Sequence, residues 1–358
     1  MEETALDLMC EYCQDNLDSM HKESFSTDMI QEVKTLLESQ FDTVDDEVLL
    51  HALVMLPCGR TSYQCPPMEN VEERIAKIRS KPQPTQRTPE WYEYRRTLLT
   101  ASVAYKALGT PAKQRELIKR REAPIVAPGN HVCTEGPLHW GVKYEPISIQ
   151  YYQWKYNTVV EEFGCITHDV YTKLGASPDG INVSPGPLYG RMLEIKNPFT
   201  REINGIPKEE YWVQCQVQME VCDLDVCDFL ETKFVEYTTV SEFENDGSFQ
   251  ITSDGKYKGI IIHFEVNNDY HYEYAPFQCT KDEYNDWEES VMIQYPNYIK
   301  TIYWKLEDEH CTIITRNKEW FQWFLPKIIE VQTIIENEKS TDLWTKRLPQ
   351  KRCKISIN

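Results

Sequence analysis

Residues 177–199 have the sequence SPDGINVSPGPLYGRMLEIKNPF, and this stretch decides the fold that we expect. The turn signal SPDG carries Asp179, and an apparent strand further on carries Glu194 and Lys196. Because side chains alternate along a strand, a spacing of two places Glu194 and Lys196 on one face of a sheet. A turn at a neighbouring strand end would bring Asp179 to the same place. The pattern therefore predicts two carboxylates and one amine at the edge of a sheet.

These residue types suit one kind of chemistry. Carboxylate oxygens on a rigid edge are typical ligands of Mg²⁺ or Mn²⁺. Lys196 would then orient or activate an attacking water and neutralise charge as a phosphodiester bond breaks. Each piece alone also has an ordinary interpretation, because E-x-K occurs on solvated strand faces and SPDG is a common turn. Gly141 and Glu145 upstream, with Gln214 downstream, make the combined pattern more specific.

Composition limits what the whole chain can be. It has 358 residues, of which 41% are hydrophobic, with 38 Lys plus Arg against 57 Asp plus Glu and a formal net charge of −19. Such a composition excludes a collagen-like, low-complexity or wholly disordered chain. The acidic balance is the reverse of that expected for a nucleic-acid binder. Any polyanionic substrate must therefore meet a local basic patch or a metal.

The sequence also favours an intracellular location. It has no apolar run of eighteen or more residues, and its first residues are acidic where a signal peptide would be basic. Its twelve cysteines show no dense spacing of the disulfide-framework type. We therefore expect a protein with reduced thiols that is not secreted and has no membrane partner.

The organisation of the chain is predicted from its periodicities. Residues 81–280 alternate helical and extended patterns, which indicates an α/β domain with a mostly central sheet. The flanking segments are expected to be an acidic helical region over 1–80, a helical region over 281–345 and a basic tail over 346–358. The helical pattern is expected to continue without a strand from Thr280 to about Asn337.

Five ordered motifs within the main domain resemble a known family. They are RTPEWYEYRRTLLTAS at 87–102, GVKYEP at 141–146, LGASPDGI at 174–181, LEIKNPF at 193–199 and YWVQCQVQMEV at 211–221. The stretch from about 87 to 235 resembles the phage-lambda-type exonucleases, or YqaJ-like viral recombinases, which are related to herpesvirus and baculovirus alkaline nucleases. This resemblance implies that 81–280 is a nuclease core of the restriction-endonuclease-like superfamily, with a central mixed sheet flanked by helices and with helical appendages at both ends.

The resemblance also implies roles for individual residues. The implied metal ligands are Asp179, Glu194 and the carbonyl of Ile195, with Glu145 helping to position the metal or its water. Lys196 matches the catalytic lysine, and Gln214 would hydrogen-bond near it or near the scissile phosphate. The residues implied to hold DNA phosphates are Arg95, Ser102, Ser177, Tyr211 and Arg201.

Some of these roles have simpler alternatives. Arg95 is a surface arginine in the plain interpretation, although a guanidinium can also grip a phosphate with two hydrogen bonds. Ser102 is a helix cap in that interpretation, although helix N-termini also bind phosphate. Arg201 is only the nearest candidate for the family's phosphate-pocket arginine, because no arginine occupies the identical register after the E-x-K strand.

The function implied by the resemblance is a Mg²⁺- or Mn²⁺-dependent exonuclease that degrades one strand of double-stranded DNA from an end, 5′ to 3′. Its product would serve recombination, repair or viral genome processing. Two alternatives stay open: an alkaline-nuclease-like endonuclease acting on DNA or RNA, and an inactive scaffold that binds a recombination partner. The expected partners are double-stranded DNA ends, with a single-strand annealing protein and a homo-oligomer left open.

Two further features are weaker signals. Cys10 and Cys13 form a C-x-x-C pair that Cys58 and Cys65 would complete as a zinc site, although ordinary thiols are the simpler interpretation. The basic runs at 113–122 and 346–354 are either solvated faces or patches that bind a DNA backbone.

Overall fold

A computed structural model describes residues 1–65, 68–86, 88–122, 134 and 136–341 of the protein. Its main element is a seven-stranded mixed sheet with the strand order β2-β5-β6-β7-β10-β8-β9. Only β6 and β7 run parallel to each other, and the other neighbours are antiparallel. The strands are β2 (Val160–Glu161), β5 (Gly180–Asn182), β6 (Met192–Lys196), β7 (Val226–Glu236), β8 (Lys258–Val266), β9 (Asp269–Tyr274) and β10 (Tyr298–Thr315).

A second, small sheet lies beside the first helices of the main domain. It has the order β1-β4-β3, formed by β1 (Leu99–Thr100), β4 (Leu174–Ala176) and β3 (Ile166–Thr167). The helices around both sheets are α5 (Pro89–Arg96), α6 (Ala101–Ala104), α7 (Pro111–Glu122), α8 (Pro137–Tyr156), α9 (Glu209–Cys222), α10 (Val240–Asn245), α11 (Lys281–Gln294) and α12 (Lys318–Thr341), with a 3-10 turn over Tyr105–Leu108.

Helices α8 and α9 cover opposite faces of β6. Leu193 and Ile195 lie in one apolar cluster with Trp140 and Tyr144 of α8. Met192 lies in the other cluster, together with the buried side of α9. This alternation follows from the period of two along a strand. The α/β class, with a mixed sheet between helices, is therefore confirmed.

The expectation of an unbroken helical pattern over 280–337 is wrong. Helix α11 ends at Gln294, and the 18-residue strand β10 lies at the centre of the sheet between β7 and β8. Its side chains alternate, with Ile302, Trp304 and Leu306 buried and their neighbours more exposed. Alternating apolar and polar residues rich in Ile, Thr and aromatics are the usual signal of a half-buried strand. The helical stripe at 320–331 belongs to α12 and does not extend back over β10.

Four helices form the N-terminal region, as the acidic helical prediction requires. They share one continuous apolar cluster with α9 and α12, to which Met9, Val33 and Leu49 belong. The segment after the third helix also joins the main sheet, because the Ser62 N–H donates to the Ile313 carbonyl at 2.9 Å. The four helices are α1 (Glu2–Asp15), α2 (Phe25–Glu38), α3 (Asp46–Met55) and α4 (Val71–Ser80).

The basic tail predicted for 346–358 lies outside the described residues. Among the helices that the structure does describe, none is long and apolar enough to span a membrane.

Candidate functional site

Glu194 and Lys196 project from β6 towards α9. Glu194 is 1% exposed and Lys196 is half-buried, and the Lys196 Nζ donates a hydrogen bond to Glu194 Oε1. The intervening Ile195 packs on the opposite face of the sheet. The structure thus places a carboxylate and an ammonium side by side, as the strand spacing predicts.

Asp179 lies beside this pair because of the register of β5. Gly180 pairs with Leu193 in the antiparallel β5–β6 ladder, so one further step places Asp179 next to Glu194. The Ile195 N–H donates to Asp179 Oδ2 at 2.7 Å. Since the N–H and C=O of a strand residue point to the same side, the Ile195 carbonyl faces the edge that holds Asp179. Two carboxylates and one carbonyl therefore converge there.

A close approach of chains explains the glycine that follows Asp179. A Cβ added at Gly180 would lie 2.1 Å from Val160 Cγ1 of β2. A side chain at this position would force Val160 to move, so glycine allows the turn that carries Asp179 to pass close to β2. The glycine of SPDG thus begins strand β5 next to β2, and the motif is not an ordinary surface turn.

Helix α9 fixes the Glu194 carboxylate from the other side. Gln214 Nε2 donates to Glu194 Oε1 at 2.6 Å, and Gln218 Nε2 donates to Oε2 at 2.7 Å. The two amides are one helical turn apart and so face the same way. Gln214 was among the predicted site residues, but Gln218 was not. The available signal was its position one helical turn after Gln214, on the same face of α9.

The charged groups of the site shift one another's pKa values. Burial, followed by the nearby Glu194 and Glu145 carboxylates, raises the pKa of Asp179 well above its usual value. Burial alone would lower the pKa of Lys196, but Glu194 and Asp179 outweigh burial and raise it. Glu145 of α8 therefore lies within electrostatic reach of Asp179.

Tyr211 and Arg201 lie next to Lys196. The Lys196 ammonium is 5.1 Å from the centre of the Tyr211 ring. Arg201 forms an ion pair with Glu231, a buried residue of β7 whose position in the ladder is opposite Lys196. Lys196 and Arg201 both influence the pKa of Tyr211, which places all three groups in one neighbourhood. Arg201 is thus held close to the site by Glu231, which was not among the predicted site residues.

The predicted phosphate-binding residues of the first motif meet each other. Arg95 donates to Ser102 Oγ at 3.3 Å, and its guanidinium lies 4.0 Å from the centre of the Trp91 ring. Cys165 is buried in one apolar cluster with Trp91 and lies within electrostatic reach of Arg95, while the buried Ser177 hydroxyl has no hydrogen-bond partner among the described residues. The carbonyl of Ser177 in turn accepts from Gln218 at 3.4 Å. Ser177 therefore borders the carboxylate cluster, because the same Gln218 amide also donates to Glu194.

The donor set fits a hard divalent cation. Mg²⁺ in proteins is commonly bound by one or two carboxylates, with waters and substrate phosphates completing its shell. Asp179 and Glu194 supply the carboxylates, and the Ile195 carbonyl faces the same edge. Throughout the described ranges, no group of three or more His, Cys, Asp and Glu side chains is arranged to hold a metal. The site is therefore suited to an ion that keeps several waters, and an all-protein cage is not formed.

The sequence comparison covers the part of the chain that carries this geometry. Residues 90–225 match the YqaJ-like viral recombinase domain. The resemblance predicted from the five motifs is confirmed over this range. The matched domain includes the described positions of the candidate site from Arg95 to Gln218, and it stops just before β7.

Comparisons with whole proteins also found similar chains. An uncharacterized protein of Acanthamoeba polyphaga mimivirus is 30% identical over 291 residues, which are 71% of this chain and 53% of that protein. The chain thus spans about half the length of this curated relative. A solved alkaline exonuclease from Laribacter hongkongensis, and the same enzyme in complex with dAMP, are each 20% identical with a TM-score of 0.40, covering 72% of this chain and 98% of theirs.

Proposed function

We propose that the chain is a metal-dependent nuclease that degrades one strand of double-stranded DNA from an end, in the 5′ to 3′ direction. The observation that carries this proposal is the convergence of Asp179, Glu194 and Lys196, three charged groups that the fold brings to one sheet edge. The match of residues 90–225 to a viral recombinase domain supports a role in recombination, repair or viral genome processing.

The metal would be Mg²⁺ or Mn²⁺, held by Asp179, Glu194 and the Ile195 carbonyl, with Glu145 nearby. Such an ion supplies Lewis-acid stabilisation of the phosphate and activation of a water. Gln214 and Gln218 hold the Glu194 carboxylate in one orientation. Lys196 places a positive charge where the attacking water and the scissile phosphate would meet.

The remaining site residues would hold the DNA end. Arg95 and Ser102 would offer a guanidinium and a hydroxyl to one phosphate, and the Ser177 hydroxyl, which has no partner among the described residues, would bind a phosphate near the carboxylates. Arg201 and Tyr211 lie on the Lys196 side, where they would contact a phosphate near the cut. Because the chain as a whole is acidic, DNA contact is confined to these local cations. We expect DNA binding to weaken steeply with salt.

The direct test follows a linear duplex labelled at one end, with and without a 5′-phosphate, in Mg²⁺ or in EDTA. The wild type should shorten one strand progressively in Mg²⁺ and leave the duplex intact in EDTA. Asp179→Ala and Lys196→Ala should abolish cleavage while keeping the circular dichroism spectrum of the wild type. Lys155→Ala is a suitable control, because Lys155 pairs with Glu309 outside the site. Full activity of either site variant would refute the proposal.

Two other functions predict different results. An endonuclease would also cut closed circular DNA or RNA, so these substrates are compared with the linear duplex. An inactive scaffold would have no reason to bind a metal between Asp179 and Glu194. Calorimetric titration with Mn²⁺ should therefore give binding to the wild type and none to Asp179→Ala if the nuclease proposal is correct.

A further inference from the structure

Three polar side chains form a hydrogen-bond network where the end of β6 meets α8 and β7. Asn197 directly follows Lys196, and its side chain is half-buried. Its amide Nδ2 donates to Ser148 Oγ of α8 at 2.7 Å and to Thr232 Oγ1 of β7 at 2.7 Å. The two hydroxyl oxygens are themselves 2.7 Å apart. One amide therefore connects the end of β6 with a helix and with the neighbouring strand.

Every N–H and O–H of this network has an acceptor. The Ser148 hydroxyl donates to the Tyr144 carbonyl at 3.1 Å, which uses its single proton. The Thr232 hydroxyl then donates to Ser148 Oγ, and each of the two oxygens accepts one N–H of Asn197. Ser148 and Thr232 are both 0% exposed, so water does not compete for these bonds. Asn197 thus supplies the two N–H donors that complete a buried network.

Helix α8 is attached by this network close to an interruption of its own hydrogen bonds. Pro146 lies inside the helix. Proline has no N–H, so it removes one backbone hydrogen bond of the helix and tends to kink it. Glu145 directly precedes Pro146, and Ser148 follows it by two residues. The part of α8 that carries Glu145 is therefore fixed to the sheet where the helix alone would hold it least well.

The strand members of the network are direct neighbours of site residues along the chain. Asn197 follows Lys196, and Thr232 follows Glu231, which pairs with Arg201 and lies opposite Lys196 in the β6–β7 ladder. Successive side chains of a strand share one backbone and point to opposite faces. A shift of the network on the α8 side would therefore displace Lys196 and Glu231 on the other face.

We propose that Asn197 is a positioning residue of the nuclease, which holds the end of β6 with Lys196 in a fixed place relative to α8 with Glu145. This inference rests on the proposed nuclease function. Asn197 acts through its neighbours, because its amide bonds to α8 and β7 whereas Glu194 faces α9. A displacement of reacting groups by about 1 Å can lower a rate by about 100-fold.

The first test uses Asn197→Leu, which keeps the approximate volume of the side chain and removes both N–H donors. Cleavage of an end-labelled duplex in Mg²⁺ is measured well below the Tm of the variant. We expect kcat per folded molecule to fall by about 10- to 100-fold, the usual range for groups that orient a site from behind it. The KM for DNA should be unchanged, because the proposed phosphate-binding side chains are intact. A merely structural role would lower the Tm and leave this kcat unchanged.

A pair of substitutions at Thr232 separates positioning from general destabilisation. Thr232→Val keeps the branched shape and removes the hydroxyl, so kcat should fall, whereas Thr232→Ser keeps the hydroxyl and should retain the wild-type kcat. Thr252→Val is the matched control, because it removes another buried hydroxyl, which accepts from the Lys256 N–H at 2.7 Å outside the site. This control should lower the Tm without changing kcat.

The outcomes distinguish this inference from the nuclease proposal. An unchanged kcat in folded Asn197→Leu, or equal losses of kcat in Thr232→Val and Thr232→Ser, would overturn the positioning role and leave the nuclease proposal intact. A wild-type protein that does not cleave DNA would refute both.

Discussion

Gln218 acts on the candidate site through Glu194, so its contribution can be tested with one substitution. Gln218→Met keeps the volume of the side chain and removes the hydrogen bond to Glu194 Oε2. Residues that orient a metal-binding side chain typically change activity by about 10- to 100-fold when altered. We expect a loss of nuclease rate in that range, measured at saturating Mg²⁺, with the far-UV spectrum unchanged.

Gln216 offers a matched control on the same helix. It is equally buried, but it bonds to the Thr315 carbonyl at 2.9 Å and the Asn317 N–H at 2.8 Å, away from Glu194. Gln216→Met should lower the free energy of unfolding by about 1–3 kcal/mol, since it leaves buried backbone groups unsatisfied. The folded fraction should keep its activity. Equal activity losses in both variants would show that Gln218 has only a structural role.

Glu231 is the second residue with an indirect role. Its carboxylate holds Arg201 beside Lys196 and Tyr211. Glu231→Gln keeps the shape and removes the charge, so the guanidinium should lose its fixed direction. We expect a higher KM for duplexes with a 5′-phosphate and a smaller change for duplexes with a 5′-hydroxyl. Lys233 lies on the same strand as Glu231 and pairs with the exposed Glu202, so Lys233→Gln should leave both values unchanged. An equal KM change for the two substrates would argue against this role.

At the scale of elements, Arg316 holds the end of β10 to the end of α9. It is 8% exposed and pairs with Glu220 at 2.7 Å and Asp223 at 2.8 Å. Removing the guanidinium leaves the mostly buried Glu220 carboxylate without its partner, whereas the half-exposed Asp223 can be solvated, so the typical cost is about 1–3 kcal/mol. Arg316→Met should therefore lower the free energy of unfolding by that amount in urea denaturation. Lys34→Met breaks the exposed pair with Asp46 and should change stability very little.

The loop after α10 predicts a pH dependence of stability. Hydrogen bonds from the Ser253 N–H, the Tyr237 hydroxyl and the Ser253 hydroxyl lower the pKa of Asp246 to about 2. A carboxylate with a lowered pKa contributes stability above its unfolded pKa, and this contribution is lost as the pH falls through the folded pKa. The Tm difference between wild type and Asp246→Asn should be largest above pH 4 and vanish near pH 2. A difference that is constant between pH 5 and pH 2 would contradict this assignment.

At the scale of the molecule, the N-terminal helices and the main sheet share their core. The indole N–H of Trp212 on α9 donates to the Arg60 carbonyl at 2.6 Å, and the buried Arg60 guanidinium donates to the Pro207 carbonyl. Segments joined by one apolar cluster are expected to unfold together. Calorimetry of the full-length chain should show one transition, and a chain lacking residues 1–56 should aggregate because it exposes α9 and α12. Two separate transitions would show that the N-terminal region folds independently.

Several structural features of the protein could be predicted from its local sequence. The E-x-K spacing placed Glu194 and Lys196 on one face because strand periodicity is a property of a few consecutive residues. The helices at 137–156 and 209–222, and the turn at Asn267 and Asn268, whose φ angles are positive, are encoded equally locally. The order of the motifs predicted the matched domain.

Other features required the tertiary structure. The central position of β10 depends on its pairing with β7 and β8. Which of its alternating side chains are buried depends on the helices that cover the sheet. The hydrogen bond of Gln218 to Glu194 and the ion pair of Glu231 with Arg201 join segments that are distant in sequence. Sequence fixes which groups are available because side-chain chemistry and backbone period are local. Only the folded chain decides which of them share a site, because long-range packing and strand register set those distances.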